Sequence, residues 1–521
     1  MEANSSHALD HVVVLMFENR SFDNLLGYLY SPAERENFEG VIGKNLSNPV
    51  PKDLYPNSPG NVPVHVANSM DIPDPNPGEE YPHVNAQLFE AVIPEQNRFA
   101  EVGDMVTPYN VPQDTSSPTM RGFVSDYIGT FRTEIGRLPI EEEYSQIMAC
   151  YQPSQIPALS TVARGFAVFD HWFCDVPSQT FANRSFFHAA SSSGLVNNIP
   201  LGKFSVLNTS PTIFERMESN KVTWKIYYDY DQILSVTALI HASRLYPFFA
   251  THFGTMENFY EDAKNGKLPN YSFIEPNMVY PHTDMHPPFQ GRLRRGLRLP
   301  PQNAILGGEQ LLTSVYNAIK YSSSESGSNW SNTFLLITFD EHGGTYDHVP
   351  PPTVSPPGGT GRNEMDFKFD RLGLRVPTIA VSAWVEPGTV VNEEYRHTSM
   401  IRTLIERWTL GDPLTERDAT AKGLSSIISR SSPITPEKWP ALPEMEVTFG
   451  SEVLSSLELP LTTLEKELLA EALVFEAKLN GTGTVEDVES IGHRDAHGHL
   501  LRLKKKWFPQ IETNIFARSS E

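Results

Sequence analysis

Asp340, Glu341 and His342 stand together at the end of an apolar, β-branched run, Asn332-Thr333-Phe334-Leu335-Leu336-Ile337-Thr338-Phe339, and Gly343 and Gly344 follow them. Such a run reads as a buried strand. In an open α/β sheet, ligands bind at the carboxyl ends of the strands. Adjacent carboxylates repel one another unless a cation neutralises them, so the cluster suits a metal site. The glycines would let the backbone turn tightly around it. A solvated turn after a strand is the plainer alternative. The run from His11 to Phe17 makes the same gesture and stops at Glu18 and Asn19. Their oxygens are hard ligands, suited to Ca²⁺, Mg²⁺ or Mn²⁺ rather than to soft metals. Two acidic strand ends in one chain point to a shared site.

Between them lies a nucleophile candidate. Phe166-Ala167-Val168-Phe169 is strand-like and leads through Asp170 and Asp175 to Ser178-Gln179-Thr180-Phe181-Ala182-Asn183-Arg184. Helix is expected from Ser185 onward. A hydroxyl near a helix N-terminus meets unpaired N–H groups and a positive dipole end, which favours an anionic substrate group. A metal contact would lower its pKa and make it a usable nucleophile. Alternatively, Ser178 or Thr180 simply caps the helix.

Four motifs in order carry a resemblance: Glu18-Asn19-Arg20-Ser21-Phe22-Asp23, Thr180-x-x-Asn183-Arg184, Asp284-x-His286-Pro287, and Asp340-Glu341-His342-Gly343-Gly344-x-x-Asp347-His348. Over residues 11–410 the chain resembles the phosphoesterase family that includes bacterial and plant non-specific phospholipases C and certain acid phosphatases, within the alkaline-phosphatase superfamily. The resemblance implies that Glu18, Asn19, Asp340 and Glu341, with the Thr180 oxygen, hold one divalent metal ion. The all-oxygen shell favours Ca²⁺ or Mg²⁺. It further implies that Thr180 is the nucleophile and that His286 contacts the phosphoryl group. His83, which follows Asp74-Pro75 after extra residues, matches the histidine of a shorter family stretch. His252 matches a further active-site histidine, while His348 and His397 read as structural. The implied activity is metal-dependent phosphoric ester hydrolysis through a phosphothreonine intermediate. The motifs sit closer to the phospholipase members, so phospholipase C, releasing diacylglycerol and a phosphorylated head group, is favoured. A broad-specificity acid phosphatase acting on soluble phosphomonoesters is the alternative.

Composition limits the partners. A net charge of −22 over 521 residues argues against nucleic acid and gives no general attraction to anionic lipid surfaces. Cys150 and Cys174 are the only cysteines, so at most one bridge is possible. No apolar run approaches the roughly 18 residues of a membrane span, and residues 1–7 lack the basic and apolar regions of a signal peptide. The expectation is a cytoplasmic chain, one exported without a cleaved signal, or a mature form.

The elements that must position these groups alternate strand and helix. Strands are expected at 222–228 and 378–384, with helices before residue 333 and over 398–408. This predicts an α/β fold with a mostly parallel central sheet and helices on both faces, alkaline-phosphatase-like. Residues 8–432 form the catalytic domain, with insertions near 38–118 and 201–288 as lids over the site. Residues 433–521 form a mainly helical C-terminal appendage packed on it. Within 227–259, Leu239, Ile240, Leu245, Phe248 and Phe249 either floor an acyl-binding groove or belong to the core. Lys504-Lys505-Lys506-Trp507-Phe508 either makes a peripheral membrane contact or is a solvated helix end, the reading preferred.

Overall fold

The computed structural model describes residues 5–232, 234–279, 282–288, 304–359, 361–443, 463–482, 491 and 493–511. Eight strands form the central sheet: β1 (His11–Phe17), β2 (Ala167–Phe169), β3 (Trp224–Tyr228), β4 (Phe253–Thr255), β5 (Tyr271–Glu275), β6 (Thr333–Phe339), β7 (Thr378–Val381) and β8 (Thr389–Val391). Their order is β8-β2-β7-β6-β1-β5-β3-β4. β1 runs parallel to both β5 and β6, pairing Leu15 with Ile274 and with Ile337. Only β7 is reversed, antiparallel to β6 and β2. Val12 through Phe17 and Phe334 through Ile337 are wholly buried. A strand covered on both faces reads as continuous rather than alternating hydrophobicity.

Nine helices of this α/β fold matter for the site and its surroundings: α1 (Tyr81–Phe89), α2 (Phe123–Ile135), α3 (Pro157–Gly165), α4 (Thr180–Ala189), α5 (Met256–Lys264), α6 (Ala304–Lys320), α7 (Thr398–Trp408), α8 (Thr463–Asn480) and α9 (His493–Trp507). The apolar stripe Leu312, Val315, Tyr316, Ile319 seats α6 on the core before β6.

Two expectations about the insertions part ways. Segment 201–288 is not a lid: it supplies β3, β4 and β5, all three strands of the sheet on one side of β1. Its strands are short and aromatic, and the loops between them hid the alternation. Segment 38–118 touches the turn after β1 and packs on α2. The Arg20 guanidinium donates to Ile72 O (2.8 Å) and the Tyr127 hydroxyl to Pro75 O (3.0 Å).

The aromatic segment 227–259 is core. Leu239, Ile240, Leu245 and Phe249 are buried, and Phe249 stacks on Phe508 with ring centroids 4.8 Å apart. Trp507 and Phe508 are therefore spent on packing α9 against the sheet edge. Lys504, also buried, donates to Tyr230 O (2.9 Å). These groups are not available to a membrane surface. Parts of the appendage, 444–462, 483–490, 492 and 512–521, lie outside the described residues. Cys150 and Cys174 are both buried free thiols, so the possible bridge is absent. No described helix is long and apolar enough to cross a membrane.

Two histidines are buried in the aromatic layer beside the sheet. His188, at the end of α4, packs against Phe214 and Phe273, and its ring nitrogens have no hydrogen-bond partner. His241, 6.0 Å away between ring centroids, has an unpartnered Nε2. Burial pushes His188 well below its usual range and His241 down to about 3. His241 and Arg184 add charge repulsion at His188. The unfolded chain binds these protons near pH 6.5 and the folded chain does not, so the contribution of these two histidines to folding stability falls as pH drops below about 6.5. The slope is about 1.4 kcal/mol per pH unit for each histidine. Denaturant unfolding at pH 7.5 and 5.5 should show the stability advantage of wild type over His188→Phe shrinking at the lower pH. An unchanged difference between wild type and variant across that range would contradict it.

Candidate active site

β1 and β6 lie side by side, so their carboxyl ends bring Glu18-Asn19 next to Asp340-Glu341. Asn19 turns the chain with φ 58°, a left-handed conformation that asparagine tolerates better than most residues. Its backbone N–H donates to Asp340 Oδ1 (3.2 Å), and the Glu341 N–H donates to the same oxygen (2.7 Å). Gly343 has φ 60°, and a Cβ there would lie 2.1 Å from Asn19 O, so only glycine lets the two turns approach.

α4 presents Thr180 to this corner. Thr180 is the first helical residue, five positions before the expected start, because Gln179 takes the cap position with extended backbone. Neither Ser178 nor Thr180 caps the helix: Ser178 Oγ donates to Val196 O (2.6 Å), and Thr180 Oγ1 faces Asn19 Oδ1 at 3.4 Å. One turn later Arg184, on the same helix face, is wholly buried. Its Nε donates to Asp340 Oδ2 (3.0 Å), and its Nη2 lies 3.5 Å from Glu18 Oε1.

Glu18, Asn19, Thr180, Asp340 and Glu341 thus meet, all at most 5% exposed. Glu18 Oε1 and Glu341 Oε1 are buried without a hydrogen-bond partner. Burial, with Asp340 next in effect, pushes both carboxyls well above their usual range. A buried carboxylate oxygen left unpaired is costly, and a hard divalent cation is the group that would satisfy two of them at once. The donor set fits the implied metal.

His83 projects from α1. Its Nδ1 is 2.8 Å from Asp126 Oδ1, and Gln87 donates to the other Asp126 oxygen (2.8 Å). Burial opposes a charge on His83, but Asp126 outweighs it and raises the group to about 9, so it is an imidazolium at neutral pH. The same segment brings Glu79, whose Oε2 accepts from Asn19 Nδ2 (2.5 Å). His286 follows β5 in the segment whose Asp284 carbonyl accepts the Glu18 N–H (2.9 Å). Its Nδ1 donates to Pro287 O (2.5 Å), and burial lowers it to about 3, so it is neutral.

His252 does not join the site. It precedes β4, at the amino end of the sheet, stacked on Trp224 with centroids 4.1 Å apart and paired with Glu218 (3.3 Å). The site lies at the opposite, carboxyl end of the strands. His397 is structural as expected: Nδ1 accepts from the Trp172 indole (3.2 Å) and Nε2 donates to Asp340 O (2.6 Å). Asp23, Asp347 and His348 gather their ligand atoms within 4.8 Å of one another, a metal-like trio. The buried Arg375 guanidinium already pairs with both acids (2.9 Å each), and His348 bonds Asp23 (2.5 Å). This network ties the first motif to the last.

Arg184 stands in a motif that gives it no role in the sequence reading, and Glu79 and Asp126 are not marked as site residues there. Arg184 was legible as the i+4 partner of Thr180. Asp126 was legible as an acid on the apolar face Phe123, Tyr127, Phe131 of α2. Nothing local marked Glu79.

A match to the Phosphoesterase family spans residues 9–411. Non-specific phospholipase C3 of Arabidopsis thaliana is 29% identical over 494 residues, covering 91% of this chain and 83% of the relative. Non-specific phospholipase C5 of the same plant is 31% identical, covering 83% and 76%. The non-hemolytic phospholipase C of Pseudomonas aeruginosa is 25% identical, covering 87% and 61%. The chain belongs to the phosphoesterase family and is a phosphoric ester hydrolase.

Proposed function

We propose that this chain is a phospholipase C that works through a phosphothreonine intermediate, cleaving the glycerol side of the phosphodiester to release diacylglycerol and a phosphorylated head group. The observation that carries this reading is Thr180 Oγ1 at a buried helix N-terminus, against Asn19, beside two buried carboxylate oxygens without hydrogen-bond partners. The relatives named phospholipases C support the lipid substrate.

Glu18, Asn19, Asp340 and Glu341 would hold a divalent cation, Ca²⁺ or Mg²⁺ by its oxygen donors, which supplies Lewis-acid polarisation of the phosphoryl group and lowers the Thr180 hydroxyl pKa. Thr180 Oγ1 attacks phosphorus in line as the bond to the glycerol oxygen breaks. The Thr180 proton passes to water as the bond forms, and His83, left neutral once the alcohol has its proton, recovers one from the water that later hydrolyses the phosphothreonine. The α4 N-terminus and the His83 imidazolium stabilise the phosphoryl oxygens, and His83 is the proton donor to the alcohol. Water then hydrolyses the phosphothreonine. His286, neutral beside the site, contacts the phosphoryl group.

Phosphatidylcholine vesicles and p-nitrophenyl phosphate, assayed side by side with and without a chelator, test the reading. The expected result is diacylglycerol plus phosphocholine at a kcat/KM at least about 10-fold above that for the monoester, a gap of about 1.4 kcal/mol in transition-state binding, lost on chelation. A preference for the monoester makes the chain an acid phosphatase. Chelator-insensitive activity removes the metal.

A further inference from the structure

α8 carries two acids, Glu467 and Glu471, one turn apart on a helix whose Leu464, Leu468, Ala472 and Phe475 are buried. Acids are almost never fully buried unless paired, yet both of these are at most 7% exposed. They point at the segment that follows α4. Glu471 accepts the backbone N–H groups of Phe204 (3.1 Å) and Ser205 (2.7 Å). Glu467 Oε2 accepts from Asn198 Nδ2 (2.9 Å). The backbone N–H of Asn198 in turn donates to Gln179 Oε1 (3.2 Å), and Gln179 is the residue on which the nucleophile helix starts. Two positions earlier in the same segment, Val196 O accepts the Ser178 hydroxyl.

We propose that Glu467 is a positioning residue for the nucleophile: it fixes Asn198, Asn198 fixes Gln179, and Gln179 sets where the N-terminus of α4 presents Thr180. The C-terminal region is thereby part of the active site's support, although it touches no reacting atom. Asn198 Oδ1 is buried without a hydrogen-bond partner, so the Nδ2–Glu467 bond is what orients this amide. Burial pushes Glu467 up to about 8 against the hydrogen bond from Asn198. It is an uncharged acceptor at neutral pH, a role that glutamine can fill. Small displacements of a reacting group are costly in turnover, on the order of 10²-fold for 1 Å, and do not require any change in substrate affinity.

The inference rests on Thr180 as the nucleophile, so Thr180→Ala is assayed alongside with a soluble substrate, bis(p-nitrophenyl) phosphate. Glu467→Ala and Asn198→Ala should each lower kcat about 10-fold with KM unchanged, the signature of a misplaced nucleophile. Glu467→Gln should stay within about 2-fold of wild type, and the double alanine variant should be no worse than either single one, because both break the same link. If Glu467→Ala fails to fold, Asn198→Ala decides, since it leaves α8 intact. Full kcat in Asn198→Ala, additive losses in the double variant, or an equal loss in Glu467→Gln overturns the proposal while Thr180→Ala is still dead. An active Thr180→Ala enzyme is a different outcome, which removes the nucleophile itself.

Discussion

Thr180→Ala should lower turnover roughly 10⁴-fold or more, the scale seen when a covalent nucleophile is deleted, while the protein stays folded. The substitution removes one hydroxyl whose bond to Asn19 Oδ1 is long, at 3.4 Å. An ordinary hydrogen bond contributes about 0.5–1.5 kcal/mol, so the melting temperature should move little. Thr180→Ser keeps the attacking atom and should retain measurable activity. Mass spectrometry of enzyme quenched during turnover should find the phosphoryl group on Thr180. The arrangement makes the prediction sharp, because the neighbouring hydroxyl in the motif does not compete for the role. Ser178, the nearest alternative in sequence, points away and is bonded to Val196 O. Wild-type turnover in the alanine variant would end the covalent mechanism.

The sequence displayed the site's strand ends more clearly than its walls. β1 and β6 are buried on both faces, so each is an unbroken apolar run that must stop where the acids begin, and both stops were visible. The helix over Thr398–Trp408 was equally plain, from its 3.6-residue stripe. The start of α4 was misplaced because Gln179 is not a customary cap. The direction of β7 has no signature in periodicity, since a buried strand looks alike in either sense. Segment 201–288 reads as a lid in sequence because its three strands have only three to five residues each. The partners of the site residues were hidden for another reason. Glu79 meets Asn19 across 60 residues and Asp126 meets His83 across 43, and such pairings are made by the fold rather than by local pattern. His252 shows the converse error, a histidine in a plausible context that the sheet places at its wrong end.

Glu341→Gln and Asp340→Asn should both empty the metal site and cut activity together, because each removes a charge that a hard cation needs, but they should part in stability. Glu341 Oε1 has no hydrogen-bond partner, and Glu341 Oε2 accepts the Gly343 N–H (2.7 Å), a bond that a glutamine oxygen can keep. Replacing it removes a buried carboxylate and leaves no cation stranded, so metal-free Glu341→Gln should melt at or above metal-free wild type. Asp340 is different: its Oδ2 holds the buried Arg184 guanidinium at 3.0 Å, with neither side chain exposed. Asparagine leaves that guanidinium only partly compensated by Glu18, and breaking a buried pair by removing one partner costs about 3–5 kcal/mol. Metal-free Asp340→Asn should therefore melt clearly below wild type. Metal analysis should report reduced occupancy for both variants, whatever their stability. Unchanged occupancy in both would dissolve the metal assignment. Reduced occupancy with equal melting points would keep the ligands but deny Arg184 its place as the fixed counter-charge of the site.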